Sequence, residues 1–408
     1  MPALNTFVTP YPQPKLTRLL GSLNRKVLLP RWCRITGVHL PESQEQALLA
    51  DMAKGTPMFF VPNHPEYFAD WMLDKWLLDR VAPRMANWAD AAVVNGMGSA
   101  MQKFWLGNNI IAAVRGEDSA KAVEHSIAWA VGGNGVLLHP EGAVNWDNEA
   151  VGPLFPGAAR MAVEAAKRHG SGQALLAPLA WYLRFTGDVT KQLDAELADL
   201  DKRLHVGLPF GNPATKTVFL IQSLVERVAL RFGLASAYPR LVIYDPKARL
   251  AEVQRHIHDA LVKHYSVQVD FTQDETLLGQ AVRLARRLRD TKHPLAIQDA
   301  ALVESLARLD ASVLSAQELS QEQIIHRLRR IRQDWVRGKA LDAVAKMAPR
   351  GLAPREAVIA VAPRVVVTGA DDPAEVSLAL HAAIEGAVRQ AREQTNNQFG
   401  PARTYTVR

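Results

Sequence analysis

Short apolar runs alternate with amphipathic stretches up to about residue 265. The runs are Met58–Val61 (MFFV), Ile110–Val114 (IIAAV), Val136–His139 (VLLH), Leu175–Ala180 (LLAPLA) and Leu241–Tyr244 (LVIY). Their length and apolar character predict buried strands. Between them, Ser119–Val131 opens on a serine suited to cap a helix. Pro156–Arg168 has proline at its start and basic residues at its end, as a helix dipole favours. Strands alternating with helices predict an α/β layered fold. Beyond residue 265 the pattern becomes mostly helical. Ile324, Leu328, Ile331 and Trp335 fall on one helical face, with Arg327, Arg329, Arg330 and Arg332 off it. Arg364–Gly369 reads as a strand, and the stretch from Pro373 as a helix. Eight of the nine tryptophans lie at or before Trp181, so the two regions have different cores. The expected organisation is a lead-in over 1–50, an α/β domain over 51–265, and a mainly helical C-terminal domain over 266–408 whose role the pattern does not reveal.

Composition narrows the function. The chain has 408 residues, 48% of them hydrophobic and 22% charged, enough for two or three domains with full cores. The net charge is +7, spread evenly: 28 basic against 24 acidic residues up to 265, and 20 against 17 beyond. A nucleic-acid binder concentrates its charge, so nucleic acid is not an expected partner. A diffuse excess suits weak attraction to anionic lipid or an acidic partner. The single cysteine, Cys33, leaves no internal disulfide and fits a reducing compartment. No signal peptide and no membrane-spanning run is expected. In Pro14–Trp32, Leu16, Leu19, Leu20, Leu23 and Val27 form an apolar stripe flanked by Lys15, Arg18, Arg25 and Lys26. That segment reads either as an interfacial helix or as a helix docked on its own domain. Thr217–Gly233 is a second candidate, better suited to a core.

The chemistry concentrates at strand exits. FFVPNHPEYFADW (Phe59–Trp71) places His64 just past a strand and Asp70 six residues on. Six helical residues turn about 600°, so the two side chains meet only if His64 stands before the helix. A carboxylate beside an imidazole fixes its tautomer and stabilises the imidazolium, the arrangement a general base needs. LLHPEGAVNW (Leu137–Trp146) repeats the plan with Glu141, and NNIIAAVRGED (Asn108–Asp118) delivers Arg115. Open α/β sheets bind ligands outside the carboxyl ends of their strands. Taken singly, each residue also fits a plainer role: a solvated pair for His64 and Asp70, an ion pair for Arg115, a cap or turn for Glu141.

The order N-H-P-x-x-x-x-D, V-x-R, P-E-G and P-G-A-A-R, followed by LLAPLAWYLRF, resembles the glycerolipid (lysophospholipid) acyltransferase superfamily over about Gly55 to Phe185. The resemblance implies a mixed sheet flanked by helices. It also implies acyl transfer from acyl-CoA or acyl carrier protein to a lipid hydroxyl, with no cofactor and no metal. His64 would be the base and Asp70 its orienting partner. Asn63, Arg115, Glu141 and Gly142 would contact substrate. A peripheral enzyme on the cytoplasmic face of the membrane is the corresponding expectation. The same pair would also serve a thioester or lipid hydrolase, and a non-enzymatic lipid-binding protein would keep the fold alone. No G-x-S-x-G elbow is present, and Cys33 lies outside the blocks, so no acyl-enzyme is expected. Two departures stand out. The first block carries one extra residue. The third reads Glu141-Gly142-Ala143-Val144 where phosphate-handling members continue with threonine and arginine, which leaves Arg115 and Arg160 as the remaining charge near an acceptor.

Overall fold

The apolar runs become strands and the amphipathic stretches become helices. The computed structural model describes residues 6–114, 117–234, 246–270, 277–309, 311–336 and 348–407. In chain order the elements up to the middle of the molecule are α1 (Pro14–Leu23), continued by a wider π-type segment (Asn24–Trp32), β1 (Ile35–His39), α2 (Glu42–Ala53), β2 (Met58–Pro62), α3 (Tyr67–Val81), β3 (Ala86–Asp90), α4 (Ala91–Gly96), α5 (Ser99–Gly107), β4 (Ile110–Ala113), α6 (Glu117–Val131), β5 (Val136–Leu137), α7 (Gly157–Arg168) and β6 (Gln173–Phe185). There follow α8 (Thr190–Leu204), α9 (Pro213–Arg231), α10 (Pro246–Tyr265), α11 (Leu277–Asp290), α12 (Pro294–Ala307), β7 (Glu318–Ser320), α13 (Gln321–Trp335), β8 (Arg355–Val361), β9 (Val365–Thr368), α14 (Pro373–Phe399) and β10 (Thr404–Thr406). The expected strand at Leu241–Tyr244 lies outside the described residues. Helix α6 begins at Glu117, so Ser119 sits inside it rather than capping it.

Contacts divide the chain into two units: Met1–Asp188 with Met347–Ala402, and Val189–Lys346 with Arg403–Arg408. This is not the division expected at residue 265. Strands β8 and β9 and helix α14 complete the first unit, because the long edge of β6 is left without a partner until they arrive.

The first unit holds an eight-stranded mixed sheet in the order β1-β8-β6-β2-β5-β3-β4, with β9 also beside β6. Strands β6, β2, β5, β3 and β4 run parallel. Strands β8 and β9 are antiparallel to β6. Strand β2 is buried along its whole length and feeds both faces of the sheet. Phe59 and Val61 pack with Leu176, Ala159, Ala162 and Leu380. Met58 and Phe60 pack on the other face with Leu73, Leu77 and Trp181. Burial on both faces explains why the strand reads as a continuous apolar run rather than an alternating one. Helix α7 owes its alanines to the same packing: Ala158, Ala159, Ala162, Ala165 and Ala166 are all buried.

Within the second unit, the described residues form six helices, α8 to α13, a short 3-10 turn and the antiparallel pair β7–β10. Helix α13 starts with a reciprocal capping box between Ser320 and Gln323. Its expected apolar face is there, with Ile324, Leu328 and Ile331 buried. Two of the arginines off that face, Arg327 and Arg330, are buried as well, so the helix is enclosed on more than one side. Helix α9 buries Val218, Leu220, Ile221 and Leu224, the core role expected of Thr217–Gly233.

Candidate active site

Parallel pairing brings the exits of β2 and β5 together. Phe60 lies opposite Leu137 in register. His64 and Glu141 each follow four residues later, at one edge of the sheet. The turn after β2 leaves His64 outside helix α3. Glu66, with extended backbone, is the N-cap, and Pro65 precedes it rather than taking the first helical position. Asp70 occupies the first turn of the helix. His64 Nδ1 is 2.8 Å from Asp70 Oδ2, which also accepts from the Glu66 N–H at 2.8 Å. The pair expected from the sequence is therefore assembled, with Nδ1 on the carboxylate and Nε2 on the other side of the ring. Asp70 is fully buried while the His64 side chain keeps 15% of its surface exposed, so the dyad is anchored at the carboxylate and open only on the histidine. Burial raises the Asp70 pKa well above its ordinary value; the Glu66 N–H opposes this without cancelling it.

The loop after β5 fixes the His64 backbone. Glu141 Oε1 accepts from the His64 N–H at 2.8 Å, and Oε2 accepts from the Gly152 N–H at 2.6 Å. The Asn145 N–H donates to the His64 carbonyl at 2.7 Å. Glu141 is buried, and burial lifts its pKa to about 7 against the two backbone donors that lower it. Both of its oxygens hold backbone, so Glu141 acts as a brace for the dyad. Gly142 turns the chain here with φ 65°, and a Cβ in its place would stand 2.6 Å from the Phe155 ring.

The Asn63 side chain is bonded to β6. It is buried, accepts from the Trp181 N–H at 2.7 Å and donates to the Trp181 carbonyl at 3.3 Å. Its amide ties the end of β2 to β6. Arg115 lies outside the described residues. Arg160 is exposed in the first turn of α7, and Val144 is buried. Cys33 is buried, and burial pushes its thiol up to about 12, a poor state for a nucleophile. Among the described residues no group of His, Cys, Asp and Glu is arranged to hold a metal ion.

Two further pairs meet at the dyad. His139 stacks on His64 with ring centroids 4.0 Å apart and planes 20° apart. Its Nε2 is 3.1 Å from Asp74 Oδ2, and its Nδ1 is 2.9 Å from the Asn63 carbonyl. Glu66 receives two hydrogen bonds from the buried Arg355 guanidinium of β8, at 2.5 and 2.8 Å. The sequence carries a signal for the first pair: Asp74 follows Asp70 by one helical repeat, and His139 stands just before Pro-Glu-Gly. It carries none for the second, whose partners are 289 residues apart.

Helix α1 and the π-type segment after it dock on α3 through Gly21 and Asn24, whose Nδ2 donates to the Met72 carbonyl at 2.8 Å. A Cβ at Gly21 would stand 2.1 Å from Asp79 Oδ2, so the helices approach closely. Leu19 (64% exposed), Leu23, Val27 and Trp32 remain outside. One face of Pro14–Trp32 is thus docked on its own unit, and another carries exposed apolar side chains. No helix among the described residues is long and apolar enough to cross a membrane.

A scan of the chain against protein-family models finds no match, and a search of curated proteins finds none either.

Proposed function

We propose that the protein transfers an acyl chain from a thioester, carried by coenzyme A or acyl carrier protein, to a hydroxyl group of a lipid acceptor at a membrane surface. The observation that carries this reading is the His64–Asp70 dyad at the carboxyl edge of the parallel strands, with the His64 backbone held at both its N–H and its carbonyl by the P-E-G loop. A base held this way suits removal of a proton from a substrate hydroxyl.

The reaction runs without an acyl-enzyme. His64 Nε2 takes the hydroxyl proton as the oxygen attacks the thioester carbonyl. The imidazolium is stabilised by Asp70. Collapse of the tetrahedral intermediate breaks the carbon–sulfur bond, and the departing thiolate recovers the proton from His64. Ester and free thiol are the products. Ala143 and Val144 offer neither a hydroxyl nor a guanidinium, and losing one charge-assisted contact costs roughly 1.5–3 kcal/mol. The acceptor is therefore a hydroxyl lipid with no phosphate near the reacting oxygen, or one whose phosphate Arg115 alone holds.

The test is an incubation of the protein with long-chain acyl-CoA or acyl carrier protein and a panel of lysophosphatidate, lysophospholipid, monoacylglycerol and alcohol acceptors. Mass spectrometry should find a new ester in proportion to released thiol. Thiol with free fatty acid and no ester would mean hydrolysis instead, and neither product would remove the catalytic reading.

A further inference from the structure

The stacked second histidine has a geometry that constrains its protons. The Asn63 carbonyl only accepts, so His139 Nδ1 carries a hydrogen. The hydrogen bond between Nε2 and Asp74 needs one more proton, which sits on Nε2 when the carboxylate is ionised. His139 and Asp74 therefore share one more proton than a neutral imidazole holds. Burial by itself would lower the His139 pKa, but the Asp74 charge and hydrogen bond turn the net shift upward. Burial raises the Asp74 carboxyl. Both directions keep that proton in the pair.

We propose that His139, held by Asp74, is a positioning residue for His64: it fixes the plane of the His64 ring by stacking and, as an imidazolium, disfavours a second positive charge on it. The idea rests on His64 being the base. The two aspartates stand one helical repeat apart on α3, so the pairs lie as two rungs, His64–Asp70 and His139–Asp74, with the rings stacked. His139 is also bonded to the carbonyl of the residue that precedes His64, so its placement and that of the base are set together.

The charges around the rings come from several elements. Helix α3 supplies Asp70 and Asp74. The β5 exit supplies Glu141, with Asp147 beyond it. The turn before α3 supplies Glu66, which Arg355 of β8 neutralises. Asp70 favours a proton on His64. The His139 imidazolium opposes it from a ring stacked at 4.0 Å, with Asp74 at the His139 Nε2. Removing the imidazolium charge leaves Asp70 unopposed. The His64 midpoint then moves to higher pH, by about one unit for a like charge at this separation. The base is correspondingly less available at neutral pH.

The experiment is nitrogen NMR of the full chain labelled in its histidines, without substrate, so that its outcome does not depend on acyl transfer. In the wild type at pH 7, both His139 ring nitrogens should be protonated. In Asp74→Asn, His139 should be neutral with the hydrogen on Nδ1, and the His64 midpoint should rise by about one unit. His139→Gln should give the same rise if Asp74→Asn does not fold, and the wild-type spectrum needs no variant at all. In an acyl-transfer assay the acidic limb of kcat/KM should shift with the NMR midpoint, costing about tenfold in rate below it. A neutral His139 in the wild type, or a His64 midpoint that stays or falls in the folded variants, overturns the proposal. A shifted midpoint in a protein that transfers no acyl group would overturn only the catalytic reading.

Discussion

At the scale of single residues, the dyad depends on where the chain stops being a strand and starts being a helix. His64 and Asp70 meet because Glu66, and not His64, caps α3. His64→Ala should abolish acyl transfer in a protein whose thermal melt is unchanged. Asp70→Asn should lose about 10²–10⁴-fold, the range positioned acid–base groups contribute; a folded His64→Ala protein with wild-type rates would end the mechanism. Glu141 gives a pH-dependent prediction. Its folded pKa, about 7, lies above the ordinary value of 4.5, so its contribution to stability is full below that value and is lost as pH rises through about 7. Relative to Glu141→Gln, which does not titrate, the wild type should lose roughly 3 kcal/mol between about pH 4.5 and 8. Urea unfolding of both proteins at the two pH values measures the difference, and a wild type that gains stability with pH against the variant would contradict it. The dyad was legible in the sequence because its partners are local and the turn between them is written in Pro65 and the helix pattern. His139 and Asp74 left only their spacing from Pro-Glu-Gly and from Asp70 as a trace, because their meeting requires β2 and β5 to be neighbours, which no local pattern states.

At the scale of elements, the strands were legible wherever both faces are buried, and their boundaries were set by partners farther away. The run at Leu175–Ala180 becomes the 13-residue β6. Pro178 sits in its middle, where a missing N–H is ordinarily costly. It is tolerated because the neighbour changes there: β9 pairs with Gln173–Leu176, and β8 takes over at Leu179. The first helix shows the opposite limit. Its stripe was readable, but which leucines face the protein was not, because Gly21 permits a close contact with α3 that periodicity does not encode. Deleting this segment would remove the buried Leu20, Asn24 and Leu29 from the fold. Membrane contact is better tested by Leu19→Glu, Leu23→Glu and Val27→Glu together. Vesicles containing anionic lipid should sediment the wild type, less so as salt rises, since each nearby basic residue contributes about 1 kcal/mol. The triple variant should stay in the supernatant with its melt unchanged; equal sedimentation would rule this face out as the contact.

At the scale of the whole molecule, the sheet is made from two ends of the chain. Strand β8 lies between β1 and β6, and its Arg355 reaches Glu66 beside the dyad. A composition change near residue 265 hid this, because tryptophan density reports the local core and not where the chain will return. The return point is close to the departure point: the Thr186 N–H donates to the Pro354 carbonyl at 3.1 Å. The sheet unit can therefore close without the residues between. Replacing 189–346 by a Gly/Ser linker of about ten residues between Asp188 and Met347, long enough to span up to about 33 Å, and removing the terminal 403–408, should leave a protein that unfolds cooperatively. A chain ending at residue 265 should not, since it lacks β8 and β9 and leaves β6 with an open edge and Glu66 buried without its guanidinium. An uncompensated buried charge alone costs about 3–5 kcal/mol, a large share of the 5–15 kcal/mol that holds a domain together. Circular dichroism melts and hydrogen exchange of the two proteins decide between the divisions. A cooperatively folded 1–265 fragment would show that the sheet does not need its C-terminal strands. A folded linker variant that retains the stacked His64–His139 pair, read from its imidazole resonances, would place all of the proposed proton chemistry in the first unit.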